Sequence, residues 1–183
     1  MQTELHRLQS AVNALALSAL QDERPLEARA DAARQLADAI AEFVGGLRTE
    51  HMPRDVSDAL TRALRVMRYL DEVARLAPSA RYVATAAASQ PALLAVVNQT
   101  VAALRAANAG DAPDATFEAA YQHAKASVLN AAVVRHMDVA EADALLDELS
   151  GLRRLVQQWA KAVALPSERP AERVSAGSHA KVR

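Results

Sequence analysis

The second half of the chain repeats the first half at a constant spacing. His51-Met52 recurs 85 residues later as His136-Met137. Residues 51–77 then align without a gap with residues 136–162. Nine of these 27 aligned pairs are identical: His51/His136, Met52/Met137, Asp58/Asp143, Ala59/Ala144, Leu60/Leu145, Leu64/Leu149, Arg68/Arg153, Leu70/Leu155 and Ala77/Ala162. Such a repeat predicts a duplicated structural unit, so a functional site should occur twice or survive as the remnant of a pair.

The apolar register of the same alignment extends towards the N-terminus. At the spacing of 85, apolar residues coincide in these pairs: Leu8/Leu93, Val12/Val97, Leu36/Tyr121, Ala39/Ala124, Phe43/Val128, Val44/Leu129 and Leu47/Ala132. We therefore expect the two halves to fold into near-equivalent lobes that lie against each other.

Apolar residues recur at helical spacing in six segments. The pattern predicts helices at about residues 3–21, 25–47, 53–77, 90–108, 114–136 and 138–165. Pro78 is expected to stop the third helix, with a connector over 78–90. Ser89 should cap the fourth helix and Asp138 the sixth.

These segments predict an all-α fold of six helices, arranged as two tandem antiparallel three-helix bundles. One domain would cover residues 1–165, with repeat one at about 3–77 and repeat two at about 90–165. Residues 166–183 lack apolar periodicity, which predicts a flexible C-terminal tail.

The aromatic content, net charge and cysteine count of the chain limit the classes of protein to which it can belong. The aromatic fraction of 3% favours alanine-rich helices over sheets. The net charge of −1 provides no global field for capturing nucleic acid. The absence of cysteine excludes disulfides and thiolate metal sites and fits a cytoplasmic location. The uncharged run from Tyr82 to Leu104 is long enough to span a membrane, but its polar residues favour a buried helix, so no direct membrane insertion is expected.

Motifs of catalysis are missing from the sequence. No Gly-x-Ser-x-Gly, Walker loop, His-Glu-x-x-His or Gly-x-Gly-x-x-Gly sequence occurs. We therefore expect no enzyme, no catalytic residue and no cofactor.

His51 and His136 are related by the repeat. They form either a symmetric pair of metal or proton sites or, as we favour, residues that shape the turn before a helix.

Arg62, Arg65 and Arg68 gather positive charge on one face of the third helix, and Arg153 and Arg154 partly mirror them. This face could contact phosphate or an acidic partner. The alternative is a solvated face in which the arginines alternate with nearby carboxylates.

Tyr69 and Trp159 lie on or beside the apolar stripes and are expected to anchor the core or the seam between the halves.

Three segments resemble the PhoU family, and in particular the soluble PhoU-like domain of sodium/phosphate cotransporter-type proteins. They are residues 68–77 (RYLDEVARLA), 121–129 (YQHAKASVL) and 143–155 (DALLDELSGLRRL). The resemblance covers most of residues 5–165. It implies tandem three-helix bundles and a cytoplasmic regulator of phosphate uptake, whose partner is a membrane phosphate transporter or its regulator. The location could then be the inner face of the membrane.

The resemblance also bears on metal binding. Many members of the family bind iron or zinc through a Glu/Asp-x-x-x-Asp motif on the third helix of each unit. Here Asp71 matches the first acidic position, but Arg75, Val156 and Ala160 replace the other ligands, so no metal site is expected.

The alternative to a phosphate-related regulator is a structural helical bundle that pairs with a second copy of itself as a homodimer or scaffold.

Overall fold

The computed structural model describes residues 2–21, 26–46, 53–107 and 115–167. Within these residues the chain is all-helical, with six helices and no strand, so the predicted fold class is confirmed. The helices are α1 (Gln2–Leu20), α2 (Leu26–Gly45), α3 (Arg54–Ala86), α4 (Pro91–Ala107), α5 (Ala115–Val133) and α6 (Val139–Ser167). His51 and the predicted tail beyond residue 167 lie outside the described residues.

The predicted end of the third helix at Pro78 is wrong. Pro78 is exposed in the interior of α3, which continues to Ala86. A proline inside a helix removes one hydrogen bond and costs about 3 kcal/mol. Burial of Val73, Ala77 and Val83 at helical spacing on both sides of the proline offsets this cost. Only residues 87–90 then connect α3 to α4, instead of the predicted connector over 78–90.

Side-chain hydrogen bonds define the start of α6 and the end of α3. The Asp138 carboxylate accepts a hydrogen bond from the Ala140 N–H at 3.1 Å, which confirms it as the cap of α6. The Ser89 hydroxyl instead donates to the Ala86 carbonyl, so Ser89 completes the end of α3 and does not cap α4. The uncharged run 82–104 is thus divided between two helices, and no described helix is long and apolar enough to cross a membrane.

The helices of each half contact one another. α1, α2 and α3 are in mutual contact, as are α4, α5 and α6, and the most extensive contact of all joins α3 to α6. α3 and α6 run antiparallel. Gly151 of α6 lies against Ser79 of α3, whereas Lys161, further along α6, lies against Tyr69, earlier on α3.

A continuous apolar core runs through both halves. Trp159, the single tryptophan of the chain, is fully buried in it, as predicted for a core anchor. The other large residues that are fully buried are Leu8, Leu15, Leu70, Leu93, Leu104, Leu145, Leu149, Leu152 and Leu155.

The ungapped spacing of 85 holds for α1 and α4, where Leu8/Leu93 and Val12/Val97 are all buried. It is wrong for α2 and α5, because Phe43 is 56% exposed whereas its partner Val128 is fully buried. There, the buried pairs are Ala33/Phe117 and Ile40/Ala124, whose residue numbers differ by 84.

Helices α3 and α6 also depart from the ungapped register. Leu64 is 44% exposed, although the identical Leu149 is fully buried. The buried pairs Ala63/Leu149, Val66/Leu152 and Val73/Trp159 have residue numbers that differ by 86. The connections between helices tolerate changes of length that helices do not, so the spacing shifts from one helix pair to the next.

Candidate functional site

A groove of about 520 Å³ lies between α3 and α6. Each half of the chain supplies one wall, and the lining is mostly charged. The lining residues are Arg65, Arg68, Tyr69, Asp71 and Glu72 from α3, and Arg154, Gln158 and Lys161 from α6.

Helical spacing places these side chains along the two walls. On α6, Arg154, Gln158 and Lys161 are four and three residues apart, so they share one face of the helix. The α3 residues of the groove follow the same spacing beside the buried row that contains Leu70 and Val73. The groove therefore runs along the edge of the α3–α6 contact.

Glu72 forms an ion-pair cluster at one end of the groove. Its side chain is only 16% exposed. It accepts hydrogen bonds from Arg75 on its own helix, with the Arg75 Nε at 3.1 Å. On the opposite wall, the Arg154 Nη2 atom lies 2.8 Å from the Glu72 Oε1 atom, so this ion pair crosses from one half of the chain to the other.

These contacts change the acid–base properties of both partners on α3. The hydrogen bond from Arg75 lowers the pKa of Glu72, opposed by burial and supported by the charges of Arg154, Arg75 and Arg68. The same hydrogen bond raises the pKa of Arg75. Glu72 is therefore a charged structural partner at neutral pH and a poor proton acceptor.

The other end of the groove is positive. The Lys161 ammonium lies 5.8 Å from the centre of the Tyr69 ring. Among the described residues, no carboxylate forms an ion pair with Arg65, Arg68 or Lys161. Four cationic side chains face two carboxylates in the groove as a whole, so its local charge is positive although the chain carries a net charge of −1.

The two walls carry the same short pattern. Arg68, Glu72 and Arg75 on α3 match Arg154, Gln158 and Lys161 on α6, with the spacings of four and three residues in both and an offset of 86. This is the offset of the buried pairs of α3 and α6. The copies differ in the central residue, which is a glutamate in the first half and a neutral glutamine in the second.

Only part of the predicted arginine face lies at the groove. Arg65 and Arg68 line the groove, whereas Arg62 is half-buried and does not. Arg154 also lines the groove. Arg153 turns towards α5, where its Nε donates to Glu118 at 3.0 Å and its guanidinium lies 5.1 Å from the centre of the Tyr121 ring.

Sequence reasoning missed Gln158 and Lys161 and the contact between Glu72 and Arg154. The ungapped spacing of 85 concealed them, because it pairs Glu72 with Gln157. An offset of 86 aligns the arginine–glutamate–arginine pattern of α3 with its counterpart on α6 and identifies both walls of the groove.

The residues considered for metal binding do not converge. Asp71 lines the groove, Arg75 binds Glu72, Val156 is buried and Ala160 is half-buried. In the part of the chain that the structure describes, no three His, Asp or Glu side chains cluster closely enough to hold a metal ion. His136 is exposed in the turn between α5 and α6, and its repeat partner His51 is outside the described residues.

No protein-family model, no curated protein and no solved structure matches the chain. The resemblance to the PhoU family therefore stays a prediction. The groove and its charges are the features of the molecule from which a function can be argued.

Proposed function

We propose that the protein is a non-enzymatic regulatory domain of phosphate uptake, which binds its ligand or partner at the α3–α6 groove. The observation that supports this proposal best is that each half of the chain supplies one wall of the groove. A ligand that contacts both walls binds one arrangement of the two helices better than others. Occupancy is thereby coupled to the packing between the halves, which is the physical basis of regulation by binding.

The lining of the groove favours binding over catalysis. Its residues include no serine, cysteine or histidine among those that the structure describes. Glu72, the more buried of its two carboxylates, has a lowered pKa and is held by two arginines. A general base needs a pKa near the working pH, and a nucleophile needs an adjacent base. Glu72 meets neither requirement.

The association with phosphate rests on two supports. The first is the resemblance of residues 68–77, which form one wall, to PhoU-like domains. The second is chemical, since guanidinium groups bind phosphate oxygens through two parallel hydrogen bonds, and Arg65 and Arg68 provide two such groups. The partner in this proposal is a membrane phosphate transporter or its regulator.

The proposal is tested by phosphate uptake in the source organism. Cells that lack the chain are complemented with the wild type, with Arg65→Ala/Arg68→Ala, or with Arg34→Ala, and uptake of radiolabelled phosphate is measured at limiting phosphate. Arg34 is a matched control, because it is an exposed arginine on α2 that pairs with Asp31 outside the groove.

We expect loss of the chain to change uptake, and the wild type and Arg34→Ala to restore it. The groove variant should not restore uptake, although it should be expressed and folded. Uptake that is the same with and without the chain would contradict the proposal.

A second candidate function is self-assembly as a scaffold. The turn between α5 and α6 exposes apolar side chains, with Val133 79% and Val139 72% exposed and Leu129 and Val134 nearby in sequence. Exposed apolar clusters often mark protein contacts. Light scattering over a range of concentrations tests this function. A dimer that dissociates in Val133→Ser/Val139→Ser supports it, and a monomer at all concentrations contradicts it.

A further inference from the structure

The two copies of the charged pattern are unequal in their ion pairs. In the first copy, the Glu72 carboxylate neutralises Arg75 on its own helix and Arg154 on the opposite helix. In the second copy, the matching central residue is Gln158, whose amide carries no charge.

The offset of 86 identifies the cations of the second copy. Glu72 pairs with Arg154 across the groove. The offset maps Glu72 onto Gln158 and Arg154 back onto Arg68, so positions 158 and 68 are the counterparts of the Glu72–Arg154 pair. Lys161 follows Gln158 on the same face of α6, as Arg75 follows Glu72 on α3. Arg68 and Lys161 are thus the counterparts of Arg154 and Arg75, without the carboxylate.

We propose that a phosphoryl group or a similar tetrahedral oxyanion binds between Arg68 and Lys161, where the second copy has Gln158 and the first copy has a glutamate. The anion would supply from solution the negative charge that Glu72 supplies within the other copy. This proposal rests on the function proposed above, since it names the chemical class of ligand for the same groove.

The residues around this place favour an oxyanion with more than one negative charge. Arg65 lies one helical turn from Arg68 and Tyr69 and lines the groove beside them, so three cations gather at this end. A phosphoryl group offers three acceptor oxygens and close to two charges at neutral pH. A planar carboxylate offers two oxygens and one charge, so it matches the three cations less well than a phosphoryl group does.

Glu72 and Asp71 oppose binding of the same anion. Both line the groove, and like charges at close range repel. Glu72 also holds Arg154, which would otherwise be available to the ligand. Removal of the Glu72 charge should therefore strengthen anion binding, and addition of a carboxylate at position 158 should weaken it.

The experiment uses two reciprocal exchanges in the full chain. Gln158→Glu gives the second copy its own carboxylate, and Glu72→Gln removes the carboxylate of the first. Binding of sodium phosphate is measured by amide NMR shifts and isothermal titration at constant ionic strength, with sodium chloride as the reference salt. Arg65→Ala/Arg68→Ala removes the cations, and Arg34→Ala is the control outside the groove.

We expect saturable phosphate binding by the wild type and by Arg34→Ala. Gln158→Glu and Arg65→Ala/Arg68→Ala should each bind at least about tenfold more weakly, because a charge-assisted contact is lost or internally occupied. Glu72→Gln should bind about threefold or more tightly, because it removes a nearby like charge. Gln158→Glu should keep its helical circular dichroism and an equal or higher Tm, so its weaker binding would not reflect unfolding.

The source of the phosphoryl group is distinguished by additional probes. Glycerol 3-phosphate is titrated in the same way, and phosphatidylcholine vesicles with and without phosphatidic acid are sedimented with the protein. Arg68-dependent binding to any one of these probes supports the shared chemistry and identifies its source.

Two results would overturn the inference. One is the absence of saturable, Arg68-dependent binding with every probe, and the other is equal binding by Gln158→Glu and the wild type. If phosphate uptake in cells nevertheless depends on the chain, the proposed function stands without this ligand. If the anion binds but uptake is indifferent to the chain, the site stands and the role in phosphate uptake does not.

Discussion

The close approach of α3 and α6 makes a quantitative prediction for Gly151→Ala. A Cβ atom at Gly151 would lie 2.9 Å from the Ser79 Cβ and 2.7 Å from its Oγ. The Ser79 hydroxyl can rotate away. Its Cβ is fixed to the α3 backbone, and ordinary contact at such a position begins near 3.4 Å. The two helices must therefore separate locally by roughly half an ångström.

The magnitude follows from two opposing effects. Overpacking of a closely packed contact costs about 1–3 kcal/mol, whereas Gly→Ala within a helix ordinarily stabilises by about 0.5–1 kcal/mol. We expect a net loss of about 1–2 kcal/mol in the free energy of unfolding. Gly45→Ala is the matched control, because it lies at the end of α2 and its added Cβ would meet no atom within 4 Å. It should be neutral or slightly stabilising.

Urea unfolding, followed by circular dichroism and Trp159 fluorescence, measures these differences. Trp159 is a suitable probe because it is the single tryptophan and is fully buried. Ser79→Gly combined with Gly151→Ala should recover part of the loss, since the clashing Cβ atom is then removed. If Gly151→Ala proves as stable as Gly45→Ala, the reasoning about the α3–α6 contact is refuted.

Three further substitutions test other parts of the structure. Pro78→Ala should raise the free energy of unfolding by about 1–3 kcal/mol, since it restores a helical hydrogen bond at an exposed position; no gain in urea unfolding would contradict this explanation. Arg135→Gly should stabilise by about 0.5–1 kcal/mol in thermal unfolding, because Arg135 has a φ of 58° and ends α5 in a left-handed conformation that glycine adopts without strain. Glu72→Gln should destabilise at neutral pH. Because the folded-state pKa of Glu72 is lowered, its stabilisation is present above the ordinary value of 4.5 and is lost as the pH falls through the folded pKa. Wild type and Glu72→Gln should therefore converge in stability on acidification, and a difference that persists at low pH would contradict the ion-pair explanation.

The helices could be predicted from the sequence, because a helix with one buried face has apolar residues at regular helical spacing. This spacing predicts buried positions for Leu93 and Trp159, and both are fully buried. The prediction that Pro78 ends the third helix is wrong because packing on both sides of the proline outweighs its local preference against helix. Local preferences are small beside the burial of a continuous apolar stripe.

The register between the halves could not be read from identical residues. Leu64 and Leu149 are the same residue type at the expected spacing, but Leu64 is 44% exposed and Leu149 is fully buried. Differences in connection length shift each helix independently, and sequence identity does not record such shifts. The groove was predictable only in part for the same reason. Arg65 and Arg68 are neighbours on one helix, but the partner of Glu72 is 82 residues away, at Arg154, and is brought to it by the packing of α3 on α6.

The unequal charges of the two copies of the charged pattern are the reason that the proposal places one oxyanion in the groove and not two. A glutamate at position 158 would give the cations of the second copy an internal ion pair, as Glu72 does for the first copy. Gln158 carries no charge, so among the described residues Arg68 and Lys161 form no ion pair, while the contact between α3 and α6 keeps the two walls of the groove together. An anion from solution can then complete the second set of ion pairs as Glu72 completes the first. Because each set joins both helices, binding would tighten the same seam that Glu72 and Arg154 already hold.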